Sequence, residues 1–320
     1  MLAHMALRKQ IDPRLHGRVI ATADALSHGV TRGQLRQPGV RHPFHGVNLI
    51  AAEAAPERAF MSETRRACID YAARMLPGQF FAGPTAALLR RAPLPPDYDV
   101  STLIVGVFSP RTPPRGRGVR GIRVEQGRVR LKTAFGLVMV SSADAWCQLA
   151  AELPREELVV VGDYLVSGNV DDGRYRKPFA TLADLAEAVA RHRGCRGATK
   201  LRWALERVRE GVDSRPESLL RLLLVAAGLP EPLVNDPTPV AGGVVLRPDL
   251  KLKEWRVAFE YEGDDHRTNR RQWVRDQQRR ELLEEAGWKV IRVFSLDVFG
   301  DPHAFLLRVL KLLRARGYPG

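Results

Sequence analysis

The residues best suited to chemistry lie between Pro248 and Glu262. Asp249 follows Pro248 at the end of one apolar stretch, and eleven positions on Glu260 and Glu262 interrupt a second, RVAFEYE. Side chains alternate along a strand, so Val257, Phe259 and Tyr261 share one face while Ala258, Glu260 and Glu262 share the other. If residues 244–250 and 256–262 pair as a hairpin, Asp249 lies beside Glu260. The linking segment LKEW is not a tight-turn sequence and leaves the register open. Carboxylates converging on one sheet face repel one another and lose hydration, so something positive must compensate. A hard divalent cation such as Mg²⁺ prefers carboxylate and carbonyl oxygens plus water. It can polarise a phosphate and lower the pKa of a water. The chain carries 50 Lys and Arg against 36 Asp and Glu, a net charge of +14, which favours a polyanionic substrate. Phosphodiester hydrolysis on nucleic acid is the chemistry these features fit together.

The elements that must hold these acids are legible from Asp213 onward. SRPESLLRLLLVAAG predicts a helix with Ser214 as N-cap, Pro216 in its first turn and Gly228 as its stop. GGVVLRPDL and WRVAFEYEG predict two strands. RQWVRDQQRRELLEEAG predicts a helix closed by Gly287, WKVIRVFS a third strand and PHAFLLRVLKLLRARG a last amphipathic helix. The order αββαβα suits a small mixed sheet. Several of these residues also have plainer roles. Ser214-Arg-Pro-Glu217 is a capping box, Glu262 can be a strand-exit charge, and Asp276 with Arg279 or Arg280 has the spacing of a helical ion pair.

Pro248-Asp249, Glu260-x-Glu262-Gly263, His266, Asp276, Arg280 and Gly287-Trp288 together resemble the PD-(D/E)xK nuclease superfamily, in the branch related to very-short-patch repair (Vsr-like) endonucleases. The likeness covers residues 214–316. It implies a restriction-endonuclease-like core, Mg²⁺ (or Mn²⁺) as cofactor, and Asp249, Glu260 and Glu217 as metal ligands. It also implies catalytic roles for these three with Glu262 and His266, and a phosphate-facing Arg280. Glu262 stands where the wider superfamily usually has lysine, so the positive charge expected there is missing. His266 then becomes the candidate base or donor.

Near the N-terminus, Thr22 can cap a short helix through Ala25 and Leu26, stopped by Gly29. Thr31 can cap a second, with Gln34, Leu35 and Arg36, before Pro38 and Gly39. Two β-prone stretches follow, at 40–44 and 46–50. That order is a winged helix-turn-helix, with Arg32, Gln34 and Arg36 on the reading helix and Arg41 and His42 on the wing. A helical module for protein contacts is the alternative. The runs GVTRGQLR and HGVNL resemble the N-terminal domain of AbiEi-type antitoxins, which implies DNA binding; Asn48 replaces the tyrosine that commonly ends that wing.

The middle is less informative. STLIVGVF and ELVVVGDYLV read as buried, and two helical stretches lie between Gly173 and Gly211. Arg111 to Lys132 holds eight basic residues and one acid, Glu125, and reads as an exposed loop followed by a strand. Such a loop can track a phosphate backbone, or be a solvated surface loop. Arginine outnumbers lysine throughout, a bias that G+C-rich coding also produces. No phosphate-binding loop, dinucleotide fingerprint, zinc-ligand spacing or repeat occurs.

At 320 residues two or three domains are expected. The three cysteines form no disulfide framework and suit a reducing cytoplasm. No run of about 18 apolar residues predicts a membrane span, and the first residues lack a secretory h-region. The expectation is an α/β (α+β) chain: residues 1–55 a winged helix-turn-helix, 56–212 a mixed middle domain, and 213–320 the nuclease-like domain. Its expected function is that of a cytoplasmic, Mg²⁺-dependent DNA endonuclease or nickase. A DNA-binding regulator or antitoxin with an inactive nuclease fold is the alternative. DNA is the expected partner, along with a protein of a toxin-antitoxin, repair or defence system; a homodimer is compatible with both readings.

Overall fold

Helices and mixed sheets build an α/β fold in the computed structural model, which describes residues 11–50, 61–171, 174–263 and 270–320. The chain divides into two compact units. The first runs as far as Ala151 and adds Glu187–Arg196; the second comprises Glu152–Ala186 and Gly197–Gly320. This division cuts differently from the three expected segments. The N-terminal module shares a unit with the sheet that follows it, and helices of the middle segment belong with the C-terminal residues.

In the first unit, β1 (Val19–Ala21), α1 (Thr22–Ser27), α2 (Arg32–Leu35), β2 (Val40–Arg41) and β3 (Val47–Ile50) form a winged-helix-like module. Its antiparallel sheet has the order β1-β3-β2. The core is small: Ile11, Leu15, Ala25, Val30, Leu35, Val40 and Ile50. Thr31 caps α2 in a full capping box with Gln34, as its sequence suggests. Thr22 does not cap α1: it is already the first helical residue, and Ala21 holds the cap position without a side-chain bond.

After α3 (Glu63–Ala72) comes a six-stranded sheet of order β6-β7-β5-β4-β9-β8. It is built from β4 (Gln79–Phe81), β5 (Leu103–Phe108), β6 (Arg115–Gly116), β7 (Val119–Val124), β8 (Leu131–Ala134) and β9 (Leu137–Val140), with α4 (Gly83–Leu89) between β4 and β5 and α5 (Ser142–Leu149) after β9. Phe80, Phe81, Val105, Val107, Met139 and Trp146 are buried. Gly106 admits the Phe80 ring, since a Cβ there would lie 2.2 Å from Phe80 Cε2. Within Arg111–Lys132, residues 111–114 lead into the short β6 and the longer β7, and the segment ends in β8.

The second unit opens with α6 (Arg155–Val166), then the β10 (Asn169–Asp171) and β11 (Arg174–Arg176) ribbon, the start of α7 (Leu182–Arg191), and α8 (Ala198–Leu205). α9 (Arg215–Ala226) has Ser214 as N-cap and is followed by Gly228 at φ +83°. The expected strand over 242–250 breaks in two. β14 (Val245–Leu246) pairs with β13 (Thr238–Pro239), while β15 (Leu250–Leu252) lies between β12 (Leu233–Val234) and β16 (Val257–Glu262). Pro248, lacking an N–H, sits at the break. α10 (Arg270–Glu285) is the crossover that lets β17 (Lys289–Phe294) run parallel to β16, giving the order β12-β15-β16-β17. One face of this mixed sheet packs Leu250, Leu252, Val257, Phe259 and Val293 against α9 and α11 (Pro302–Ala315). The other packs Ala258 and Val290 against Leu283 of α10.

Candidate active site and nucleic-acid interface

β15 and β16 align Leu250 with Phe259 and Lys251 with Ala258. Carrying that register one step further sets Asp249 opposite Glu260. The Tyr261 amide donates to Asp249 Oδ2 at 2.7 Å, pinning the aspartate to the strand. Burial pushes the Asp249 pKa up; the Tyr261 amide and the Arg279 charge act against it. Glu260 is raised by burial too, with Arg279 opposing and Asp249 reinforcing. Its Oε1 is buried and has no hydrogen-bond partner, and Arg279 Nη2 stands 3.7 Å away.

Glu217 does close its helix. Its Oε1 accepts from Ser214 Oγ at 2.7 Å and its Oε2 from the Asp213 amide at 3.1 Å. Burial, then the Asp249 charge, push its pKa up to about 7. The electrostatic link to Asp249 therefore places it near the pair while its hydrogen bonds tie it to the cap.

Glu262 is occupied. Its Oε1 accepts from Arg292 Nε at 2.8 Å and Arg280 Nη2 at 3.2 Å. Arg280, expected to face phosphate, is bound to Glu262. Arg279, a half-exposed neighbour on α10, is the cation that faces Asp249 and Glu260. Asp276 forms no ion pair with either arginine among the described residues. His266 lies outside the described residues. Lys251 points to the same sheet side as Asp249 by register, but its Nζ is buried and spent on Thr238 Oγ1 (2.8 Å), two carbonyls and Asp236.

Among the described residues no group of three or more His, Cys, Asp or Glu is placed to hold a metal ion, so Glu217, Asp249 and Glu260 do not form a closed three-carboxylate cage. Asp249 and Glu260 remain as a pair. Mg²⁺ is commonly held by one or two carboxylates, with waters and substrate phosphate completing its shell. The orphaned Glu260 oxygen and the upward push of the Asp249 charge on Glu260 fit that arrangement. A separate cavity of about 570 Å³ opens among α6, α8, α9 and Phe299, and contains none of these acids.

On the N-terminal module, Arg32, Arg36 and Arg41 are exposed. Gln34 is buried, and its Oε1 accepts from the Thr31 amide (2.8 Å) and hydroxyl (2.9 Å). On the wing, His42 Nδ1 meets the Asn48 side-chain oxygen at 3.1 Å, and Asn48 donates to Thr22 Oγ1 at 3.0 Å. Asn48 is therefore a buried brace between wing and helix.

No family model matches the chain. It is similar to two proteins of Mycobacterium tuberculosis, "Uncharacterized protein MT2308" (strain CDC 1551 / Oshkosh) and "Uncharacterized protein Rv2248" (strain ATCC 25618 / H37Rv). Each is 28% identical over 241 residues, covering 74% of this chain and 84% of the relative. Those descriptions assign no activity. No helix among the described residues is long and apolar enough to cross a membrane.

Proposed function

We propose that the second unit is a metal-dependent DNA phosphodiesterase and that the N-terminal module brings it to duplex DNA. The observation that carries this is the Asp249–Glu260 pair: two half-buried acids side by side, one with a buried oxygen left without a hydrogen-bond donor. Bound Mg²⁺ would supply Lewis acidity toward a phosphate and acidify a water. Asp249, oriented by the Tyr261 amide, and Glu260 would hold it. Arg279 is placed to offset phosphate charge beside them. Glu217, raised to about 7, can hold a proton near neutral pH and could pass it on at the edge of the pair. The expected cytoplasmic location, and partnership with a toxin-antitoxin, repair or defence protein or a second copy of the chain, belong to this same reading.

The test is incubation of the purified protein with supercoiled plasmid and Mg²⁺ or Mn²⁺. Nicked or linear product that disappears in Asp249→Ala is expected. Product that persists in that variant, or its complete absence with the wild type, removes the enzymatic reading.

A second reading is favoured by the lack of a three-ligand group among the described residues and by the neutralisation of Glu262 between two arginines. It makes the protein a DNA-binding regulator that keeps the nuclease-like sheet as scaffold. It expects DNA affinity that is the same with EDTA or Mg²⁺ and unchanged by Asp249→Ala.

A further inference from the structure

We infer that the arginine hairpin β6–β7 of the first unit is a second docking point for the phosphate backbone of duplex DNA, continuing the footprint of the wing; this rests on the DNA-binding reading above. The hairpin sets Arg115 directly opposite Arg120 in an antiparallel pair, with Arg117 in the turn between them. Like charges directly opposite across a ladder repel and destabilise it. All three arginines are exposed, and Arg115 and Arg117 form no ion pair among the described residues. Elsewhere in the segment Arg128 meets Glu125 at 3.1 Å and Arg130 meets Glu187 at 2.8 Å, Arg111 and Arg123 are engaged with backbone carbonyls, and Arg120 is engaged as well.

Position adds a second reason. The turn of this hairpin abuts the wing of the N-terminal module, since a Cβ at Gly118 would lie 3.4 Å from Phe44 Cε1. Phe44 in turn stands edge-on to Tyr71 of α3, centroids 5.3 Å apart, and Arg74 donates to the His45 carbonyl. The wing is thus held against the hairpin within one unit, and Arg41 and the Arg115–Arg117–Arg120 group lie on adjoining elements. Guanidinium groups suit bidentate phosphate binding, and Gly116, with nothing within 4 Å of where a Cβ would sit, leaves the backbone open to close approach. The plainer role of such a charged edge is to keep the sheet from pairing with another chain.

The experiment measures binding of the full chain to a fluorescein-labelled, mixed-sequence duplex in EDTA, by anisotropy between about 50 and 200 mM salt. Three variants are compared with the wild type. They are Arg115→Ser/Arg117→Ser/Arg120→Ser, the same three positions changed to Lys, and a control of equal charge change at exposed second-unit sites, Lys253→Ser/Lys311→Ser/Arg314→Ser. Circular dichroism and Tm check folding. The serine hairpin variant is expected to bind roughly tenfold or more weakly, with a salt slope shallower by about 0.9 for each phosphate that is no longer neutralised. The lysine variant keeps most of the slope, and the control changes little. Wild-type affinity and slope in the serine variant, with or without aggregation, would overturn the inference and leave the hairpin a protected sheet edge. An equal loss in the control would overturn it as well, by showing a net-charge effect. If the wild type binds no DNA at all, the underlying reading falls, an outcome separable from either of the others.

Discussion

Two sets of charges in the second unit, one buried and one half-buried, make a useful contrast. Around Asp163 every charge is answered. Arg221, fully buried on α9, donates to Asp163 Oδ2 (3.0 Å), to Glu231 Oε1 (2.7 Å) and to the Arg207 carbonyl (2.8 Å). Asp163 also accepts from the Arg209 amide and Ser218 Oγ, each at 2.7 Å. Only Arg221 Nε lacks a partner. Around Asp249 the balance is uneven: the aspartate has one amide donor, Glu260 keeps a bare buried oxygen, and the nearest cation to it stands off at 3.7 Å. A buried charge with a full set of partners holds architecture together. A charge short of partners in a partly desolvated place is destabilising and marks a candidate functional site.

The sharpest way to break this contrast is to remove the answering charge at Asp163. Arg221→Met leaves that aspartate buried beside an apolar chain. A loss of about 3–5 kcal/mol of stability is expected, the usual cost of orphaning one member of a buried pair. Urea denaturation measures it. A loss under about 1 kcal/mol would show that the network is loosely held, and would blur its distinction from the carboxylate pair.

Glu217, beside the pair, should respond to pH in the opposite sense from an acid whose pKa a salt bridge lowers. Glu217 rises from 4.5 to about 7 in the folded chain. Between those values the folded protein therefore binds more protons than the unfolded one, so stability falls as pH rises through the window. By the conversion of 1.36 kcal/mol for each pKa unit, the loss is of order 3 kcal/mol across it. Mg²⁺ should restore part of that loss above pH 7 and none below pH 4.5, where the carboxylates are protonated. Denaturation curves at several pH values, with and without Mg²⁺, give both slopes. Stability that climbs from pH 5 to 8, with no response to Mg²⁺, would remove the distinction between strained and satisfied acids.

Glu262 belongs to the satisfied class despite its place in the motif. Glu262→Lys, the residue type that the sequence resemblance leads one to expect there, would set an ammonium group between Arg280 and Arg292. The expected result is a loss of about 1–2 kcal/mol and no gain in plasmid cleavage. A gain in cleavage at unchanged Tm would mean the two arginines can swing clear.

Local signals carry most of what the sequence discloses. Ser214, Gly228 and Gly287 mark helix ends through caps and left-handed turns, and the alternation in RVAFEYE assigns faces before any partner strand is known. Distant pairings are out of its reach. Asp163 meets Arg221 across 58 residues, and nothing in ELVVVGDYLV announces that its one aspartate is the hub of a network, or that the apolar run is helical. Arg279 and Arg280 are adjacent in sequence, and their roles separate only because α10 turns one toward Asp249 and Glu260 and the other toward Glu262. Pro248 is a legible obstacle to one continuous strand, and its missing N–H is a signal that could have predicted the split into β14 and β15.

The smallest effect applies the same test to the first unit. Gln34 sits on the helix expected to read DNA, yet both halves of its capping box with Thr31 are formed. A polar side chain already satisfied by its own backbone has little left to offer a base edge. Gln34→Ala should therefore cost about 0.5–1 kcal/mol of stability and leave DNA affinity and sequence preference as they were. Arg32→Ala and Arg36→Ala should do the reverse, weakening binding with Tm unchanged, because both are exposed and neither forms an ion pair among the described residues. Thermal melts paired with binding to a panel of duplexes would separate these outcomes. A changed sequence preference in Gln34→Ala would show that α2 opens its cap on DNA, and that partner count in the free protein is a poor guide to function in so short a helix.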